Sequence, residues 1–296
     1  MGHDVGNNGE RKVAGANDWV YFAHLSIYRY FADFVRGQRI LEIGSGTGYG
    51  ANYLADYAQS IVSIDVSTSA NQFCRENSVS DRIDFRLHDL SVDLLPDEPF
   101  PVIVTSNALE HVPAIDAMLA NCAHMLRPDG LMIIAVPPVN NPAAFIENFR
   151  NPFHVTNLTP LNWHAKLSRF FESVECFRHW VKPEFEGADG MPVGLNAPAE
   201  RTVIRENDFA FQVRSPEGLM AETHAITAVF AVRGPRIVFC EPTLAEELPR
   251  EWHVGKLTAQ VLVEELARRE RELKQSRSWR VTAPLRALTG LSRRSG

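Results

Sequence analysis

Apolar residues along the chain fall into short continuous runs separated by stretches of helical spacing, the pattern of strands buried on both faces alternating with amphipathic helices. Between residues 19 and 35 the apolar positions Trp19, Phe22, Ile27, Phe31, Phe34 and Val35 predict a helix, with Asn17 or Asp18 as its cap and Gly37 ending it. The run RILEI then meets the glycine cluster GSGTGYG, the signature of a buried parallel strand turning tightly into a helix. Further strand-like runs follow at SIVSIDV, RIDFRLHDL, PVIVTSNAL and LMIIAVP, with helix-like stretches over 67–77 and 113–126 between them. This alternation predicts an α/β fold built on a doubly wound, mostly parallel sheet.

After the fifth strand the pattern loosens. PPVNNPAAFIENFRNPFHVTNLTP reads as an ordered covering loop on the substrate side. A helix over 161–171 leads into ESVECFRHWV, a Gly/Pro-rich excursion spans 182–218, and ITAVFAV follows; the two apolar runs complete a seven-stranded sheet whose last strand is antiparallel. From Thr243 the composition turns Glu/Leu/Ala/Arg-rich, and Ala259, Leu262, Leu266 and Leu273 form a thin stripe at helical spacing. The expected organisation is a polar leader over 1–17, one α/β domain over 18–240, a projecting C-terminal helix over 241–278 and a tail over 279–296.

With 296 residues, 45% hydrophobic and 22% charged, the chain has material for one sizeable core. Its four cysteines are widely spaced, which argues against a disulfide framework or a cysteine zinc site. The polar N-terminus has no apolar leader segment, and a cytoplasmic, soluble protein is expected. Charge is uneven: residues 268–296 hold nine basic and two acidic side chains, a surplus of seven, and with a net charge of −6 the first 267 residues carry −13. An acidic body excludes nucleic acid as the expected partner, whereas the basic tail suits an anionic surface.

The strand ending Glu42-Ile43-Gly44-Ser45-Gly46-Thr47-Gly48 brings backbone N–H groups and a helix start toward whatever binds there, so a nucleotide-like ligand is implied. A dinucleotide fingerprint would need glycine at position 49, where Tyr49 stands, and this weakens a nicotinamide reading. LEIGSGTGYG instead resembles the first motif of class I S-adenosylmethionine-dependent methyltransferases, an acid two residues before G-x-G-x-G, with Glu42 in the acid position. The resemblance runs in order from about Arg39 to Pro137 and implies a Rossmann-like domain with S-adenosylmethionine as cofactor. Asp65, followed by Val66, matches the acid that accepts both ribose hydroxyls, a task for which a carboxylate is suited. Asp89 matches the residue that meets the adenine amino group, with His88 and Leu90 beside the base. SNALEHV places Asn107 and Ala108 near the methionine part, and LRPDGLMIIAVPP matches the following turn and strand. One departure is Phe100-Pro101, where the family usually has an acidic residue after phenylalanine.

Methyl transfer is an in-line displacement that needs orientation and exclusion of water, and a hydroxyl acceptor also needs a base or a metal. The candidates are Glu110 and His111 after the fourth strand, and His154 in the NPFHVTNLT loop. That loop resembles a segment in methyltransferases of bacterial surface-polysaccharide clusters of the O-antigen type, although Thr156 and Asn157 replace the acid that often follows the histidine. Glu110, His111 and His154 can supply a divalent metal with ligands, as in relatives with a Glu-x-x-Glu-His segment, but Asn107 replaces the first glutamate. His154 as a general base, and loop histidines packed for shape, are the other readings. HLSIYRYFADFVRG resembles the helix before the glycine strand in the same group, which implies that Tyr28, Arg29 and Tyr30 reach the methionine carboxylate; an amphipathic lid helix with a solvated arginine is the other reading.

The resemblance implies methylation of a sugar hydroxyl in surface-glycan synthesis. A lipid, quinone or natural-product acceptor, and a non-catalytic cofactor-binding scaffold, are the rivals. SRSWRVTAPLRALTG resembles a C-terminal signature of bacterial glycan-assembly enzymes; its Trp279 and Leu285 interleaved with arginines suit a partner enzyme or an anionic membrane surface. A peripheral location at the inner membrane face and an oligomeric state are compatible expectations.

Overall fold

The computed structural model describes residues 19–186, 204–222 and 225–236. The leader, residues 187–203 of the Gly/Pro-rich excursion, and the projecting helix and tail expected from 241 onward lie outside the described residues.

Helix α1 (Trp19–Val35) precedes β1 (Arg39–Ile43), α2 (Tyr49–Leu54), β2 (Ser60–Asp65), α3 (Thr68–Glu76), β3 (Ile83–Leu87) and β4 (Phe100–Ser106). There follow α4 (Ile115–Met125), β5 (Leu126–Val136), α5 (Pro142–Arg150), α6 (Pro160–Phe170), β6 (Phe171–Val181), β7 (Phe209–Arg214), α7 (Pro216–Met220) and β8 (Thr227–Pro235). The sheet order is β3-β2-β1-β4-β5-β8-β6-β7. Strands β1 to β5 run parallel to one another, and β8 lies antiparallel between β5 and β6.

The chain reverses its strand order beside β1, from which β2–β3 are wound one way and β4–β5 the other. The carboxyl ends of β1 and β4 therefore diverge and leave a crevice, which is where ligands bind in open α/β sheets. Strands β1, β4 and β5 are buried almost throughout because helices cover both faces. One apolar cluster gathers Leu41, Ile103, Leu119, Ile134, Trp163 and Phe230; a second gathers Ile27, Phe31, Ile40, Leu54, Ile61 and Val104; a third joins Tyr21, Phe22 and Leu25 of α1 to Val181, Ile204 and Phe209.

Local chemistry sets the helix ends. Ser67 caps α3 through its hydroxyl, which accepts from the Ala70 amide, and Asn141 and Thr159 do the same for α5 and α6, each with proline in the first turn. Gly37, at φ 68°, follows α1 and donates its amide to the Tyr57 carbonyl.

Three sequence expectations need correction. The sheet has eight strands: FAFQVR forms β7 on the β6 edge, inside the stretch expected to be an excursion. The covering loop contains a helix, α5, because Asn141-Pro142 supplies a cap and a first-turn proline. Phe34 is half exposed and not part of the α1 core.

Helix α1 is tied to the far half of the sheet by a buried polar chain. The Ser26 hydroxyl donates to the Ala23 carbonyl and so accepts from His179 Nε2, while the other ring nitrogen, Nδ1, accepts from the Thr227 hydroxyl. Burial pushes the His179 imidazole down to about 3, with His24 adding to the effect, so it stays neutral.

Candidate functional site

The crevice is a cleft of about 470 Å³ at the carboxyl ends of β1 to β4. Its floor is the glycine turn after β1. Gly44, Gly46 and Gly48 all have positive φ, of 86°, 55° and 76°. Their reasons differ. A Cβ on Gly44 would lie 2.6 Å from the Ala108 Cβ, and one on Gly48 would press on Cys74 and Phe85, whereas one on Gly46 would meet nothing and point into open space. The first and third glycines thus let the turn pack against the β4 loop and α3, and the second keeps the cleft open. Gly50 in α2, absent from the sequence reading, allows the contact between α2, Tyr28 and Glu42.

Asp65 closes β2 and lines the cleft. Its carboxylate accepts from the Gly46 amide at 2.9 Å and from the Ser67 amide at 2.8 Å, which locks the glycine turn to the start of α3. Each oxygen retains a lone pair for a further donor. Val66, His88, Asp89 and Leu90 continue this wall; Asp89 makes a turn of its own by accepting from the Ser91 amide and hydroxyl.

Glu42 stands behind the floor, 1% exposed, at the end of a hydroxyl chain in which Ser45 donates to Ser63 at 2.7 Å and Ser63 to Glu42 at 2.5 Å. Burial is the main reason its carboxyl is pushed up to about 7; hydrogen bonds from Ser63 and Tyr28 oppose the shift and the Asp65 charge reinforces it. A folded-state value above the ordinary one means that folding favours the protonated form. The associated stability is fully present below about pH 4.5 and is lost as the pH rises through about 7. Glu42→Gln, which carries no proton to lose, is therefore expected to flatten the fall in melting temperature between pH 5 and pH 8; an equal fall in both proteins would exclude Glu42 as its source.

The opposite wall comes from the β4 loop. Asn107 is the one non-glycine with positive φ among the described residues, at 50°, a conformation asparagine tolerates, and its amide donates to the Ala135 carbonyl at 2.8 Å. A short 3₁₀ turn, Leu109–His111, follows. The loop after α5 is strapped onto it: the Val155 and Thr156 amides both donate to the Glu110 carbonyl at 2.9 Å, and the Thr156 hydroxyl donates to the Val112 carbonyl at 2.6 Å. This strap brings His154 to the adjacent pair Glu110 and His111, more than forty residues earlier in the chain. Candidate ligand atoms of Glu110, His111 and His154 all lie within 4.8 Å of one another, and the two imidazoles meet edge to face with centroids 4.9 Å apart. Within the trio the cleft is lined by His111, with Phe153 beside it; His154 stands behind His111, and Glu110 is buried.

Of the sequence-predicted residues, Gly44, Ser45, Gly46, Asp65, Val66, His88, Asp89, Leu90, Asn107 and His111 line the cleft. Glu42 and Gly48 support it from beneath. Arg29 is a correction: it is exposed and absent from the cleft wall, while the buried Tyr28, one step earlier on α1, lines it. Successive helical residues point about 100° apart, so both cannot face the same cavity. Tyr30 likewise points away, stacked on Phe211 at 4.2 Å. His24, Tyr49, Thr47, Met118 and Phe153 were not identified from the sequence; His24 stands four residues before Tyr28, a helical spacing that could have signalled it.

Fold and cleft together define a class of protein. Residues 41–134 match the family described as "Methyltransferase domain", and the architecture around them is the class I methyltransferase fold. At 29% identity over 167 residues, 56% of this chain and 63% of the relative, the chain is similar to a protein of Mycolicibacterium smegmatis (strain ATCC 700084 / mc(2)155) named as a probable S-adenosylmethionine-dependent methyltransferase. It is 33% identical over 101 residues, 33% of this chain and 40% of the relative, to a ubiquinone biosynthesis O-methyltransferase of Chelativorans sp. (strain BNC1). Among solved structures, a Thermotoga maritima S-adenosylmethionine-dependent methyltransferase covers 72% of this chain and 90% of its own, at 16% identity and a TM-score of 0.51. The chain spans 63% or less of the length of these curated relatives.

Proposed function

We propose that the chain transfers a methyl group from S-adenosylmethionine to a hydroxyl of an acceptor bound beside His111. The observation that carries this reading is the convergence of Glu110, His111 and His154 at the wall of the cleft opposite Asp65. An amine needs little help to accept a methyl group, whereas a hydroxyl must lose its proton, and a basic cluster at that position answers the need.

The residues suit the cofactor. Asp65 takes the ribose hydroxyls, His88, Asp89 and Leu90 surround the adenine, and Asn107, His24 and Tyr28 face the methionine part. The open space at Gly46 gives the cofactor its passage over the glycine turn. When bound, the cofactor supplies an electrophilic methyl group. His111 receives the acceptor proton, His154 and Glu110 stabilise the charge that results, and Val112, Pro113, Met118 and Phe153 keep water from the path. The same trio suits a divalent cation that would lower the hydroxyl pKa in place of the base.

Asp65→Ala is expected to weaken S-adenosylmethionine binding by roughly 1.5–3 kcal/mol, the scale of charged hydrogen bonds, in isothermal titration calorimetry. It should also lower the melting temperature, because the Gly46 and Ser67 amides lose their acceptor; unchanged affinity would remove Asp65 from the cofactor site.

For the acceptor, the resemblance of the NPFHV loop to glycan-cluster enzymes supports a sugar hydroxyl. A phenolic small molecule is the second reading, favoured by the exposed Phe153 ring on an otherwise apolar stretch of wall and by the relative named for ubiquinone biosynthesis. Transfer of labelled methyl to a panel of sugars, phenols and amines separates these readings, and methylation confined to amines would overturn the hydroxyl assignment. The basic tail we assign to docking on a partner enzyme or anionic surface, from its composition alone.

A further inference from the structure

Helix α5 is half exposed along most of its length, and its one buried residue is an amide, Asn148. Burying an asparagine in place of an apolar side chain costs free energy unless all its polar atoms are used. Those of Asn148 belong to a closed ring of hydrogen bonds. Asn157 Nδ2 reaches the His154 carbonyl at 2.9 Å; Asn148 Nδ2 reaches Asn157 Oδ1 at 2.5 Å; and Asn148 Oδ1 meets His154 Nδ1.

The polarity of this ring has no freedom. A backbone carbonyl can only accept, so Asn157 must turn its amide nitrogen toward the His154 carbonyl and its oxygen toward Asn148. Asn148 must then answer with its own nitrogen, which leaves its oxygen facing the imidazole. An amide oxygen cannot donate, so His154 must carry its proton on Nδ1, and in the neutral ring Nε2 holds the lone pair. His111 obeys the same rule more simply, since its Nδ1 lies 3.0 Å from the Phe153 carbonyl. Both rings thus have Nε2 as the basic nitrogen.

We infer that Asn148 and Asn157 are positioning residues that lock His154 in the Nδ1–H tautomer, so that Nε2 is the nitrogen available to the Glu110–His111 cluster. The inference rests on the proposed role of that cluster in methyl transfer. It explains why an asparagine, Asn157, stands where related loops often carry an acid: a carboxylate there could not donate to the His154 carbonyl, and the direction of the ring would be lost. It also makes α5 a support of the site, since the residue that sets the histidine is on that helix.

The test is nitrogen-15 NMR of the ring nitrogens of His154 in the full chain at pH 8, where an ordinary histidine is neutral, with assignment by comparison with His154→Gln. The expected spectrum is that of the Nδ1–H tautomer. Asn148→Leu should shift His154 toward the Nε2–H form or a mixture, and Asn148→Asp, which keeps an acceptor opposite Nδ1, should restore the Nδ1–H form. Methyl transfer should fall at least tenfold in Asn148→Leu with the affinity for S-adenosylmethionine retained. A wild-type ring in the Nε2–H form overturns the lock even if no variant folds, and so does an Asn148→Leu ring that stays Nδ1–H. Full turnover in His154→Ala, with the tautomer as expected, would instead reject the catalytic reading and leave the lock in place.

Discussion

Gly46→Val is expected to leave a folded chain that no longer binds S-adenosylmethionine detectably. Gly46 has φ 55°, and a Cβ built on it finds no atom within 4 Å, so valine would not collide with the protein. Its methyl groups would stand in the cleft, in the passage assigned to the cofactor. The folded state carries only the cost of a left-handed β-branched residue, about 1–2 kcal/mol. The binding loss should exceed a hundredfold, roughly 2.7 kcal/mol, because the cofactor cannot approach the turn without overlapping the side chain. Gly37 provides the control. It has φ 68° and equally open surroundings, yet it follows α1 and lines no part of the cleft. Gly37→Val should therefore lose a similar amount of thermal stability and bind the cofactor normally. Calorimetric titration of both variants reads the difference, and normal binding by Gly46→Val would mean that the glycine turn had been assigned to the wrong ligand.

The second large effect belongs to the histidine pair. His111→Ala and His154→Ala are each expected to lower the methylation rate at least tenfold, with cofactor affinity nearly unchanged, because the cluster acts on the acceptor and not on the cofactor. General bases contribute about 10²–10⁴-fold, and His111, on the cleft wall, should show the larger loss. A chelator titration divides the two chemistries the trio can support. Activity that disappears and returns with a divalent ion assigns Glu110, His111 and His154 to a metal, and indifference to chelation assigns the proton to His111. Normal turnover in both alanine variants would reject both roles.

Strands β1, β2, β4 and β5 were legible because strands covered on both faces leave largely continuous apolar runs, as in RILEI and VIVTS, while β3, IDFRL, showed itself by alternation. The glycine turn and Asp65 were legible for a related reason: backbone approach and bidentate acceptance each admit very few residue types. Strand β7 was not. Only Phe209 of its six residues is buried, and the strand is an edge set in a Gly/Pro-rich stretch, so its pairing with β6 supplies what its sequence does not announce. The phase of α1 was hidden differently. Ten of its seventeen residues are buried, since one apolar cluster takes its first turns and another the rest, and without a clean stripe Arg29 and Tyr28 could not be told apart. His154 was picked from the sequence, but its neighbours were not: the strap from Val155 and Thr156 to the Glu110 carbonyl is a backbone contact, and backbone contacts leave no trace in residue identity.

The buried link from Ser26 through His179 to Thr227 bears on the order in which the site can be assembled during synthesis. Helix α1 supplies His24 and Tyr28 to the cleft, yet its partners on the sheet are made 153 and 201 residues after Ser26. The glycine turn and Asp65 need only β1, β2 and the start of α3, all complete by about residue 70. A nascent chain can therefore form the glycine turn with its Asp65 anchor early and can pack the second half of α1 on β1, α2 and β2, while the polar tie from Ser26 waits until His179 and Thr227 have left the ribosome. A chain that ends before Thr227 is expected to lack the hydroxyl that completes this tie, and so to hold His24 and Tyr28 of α1 less firmly at the cleft.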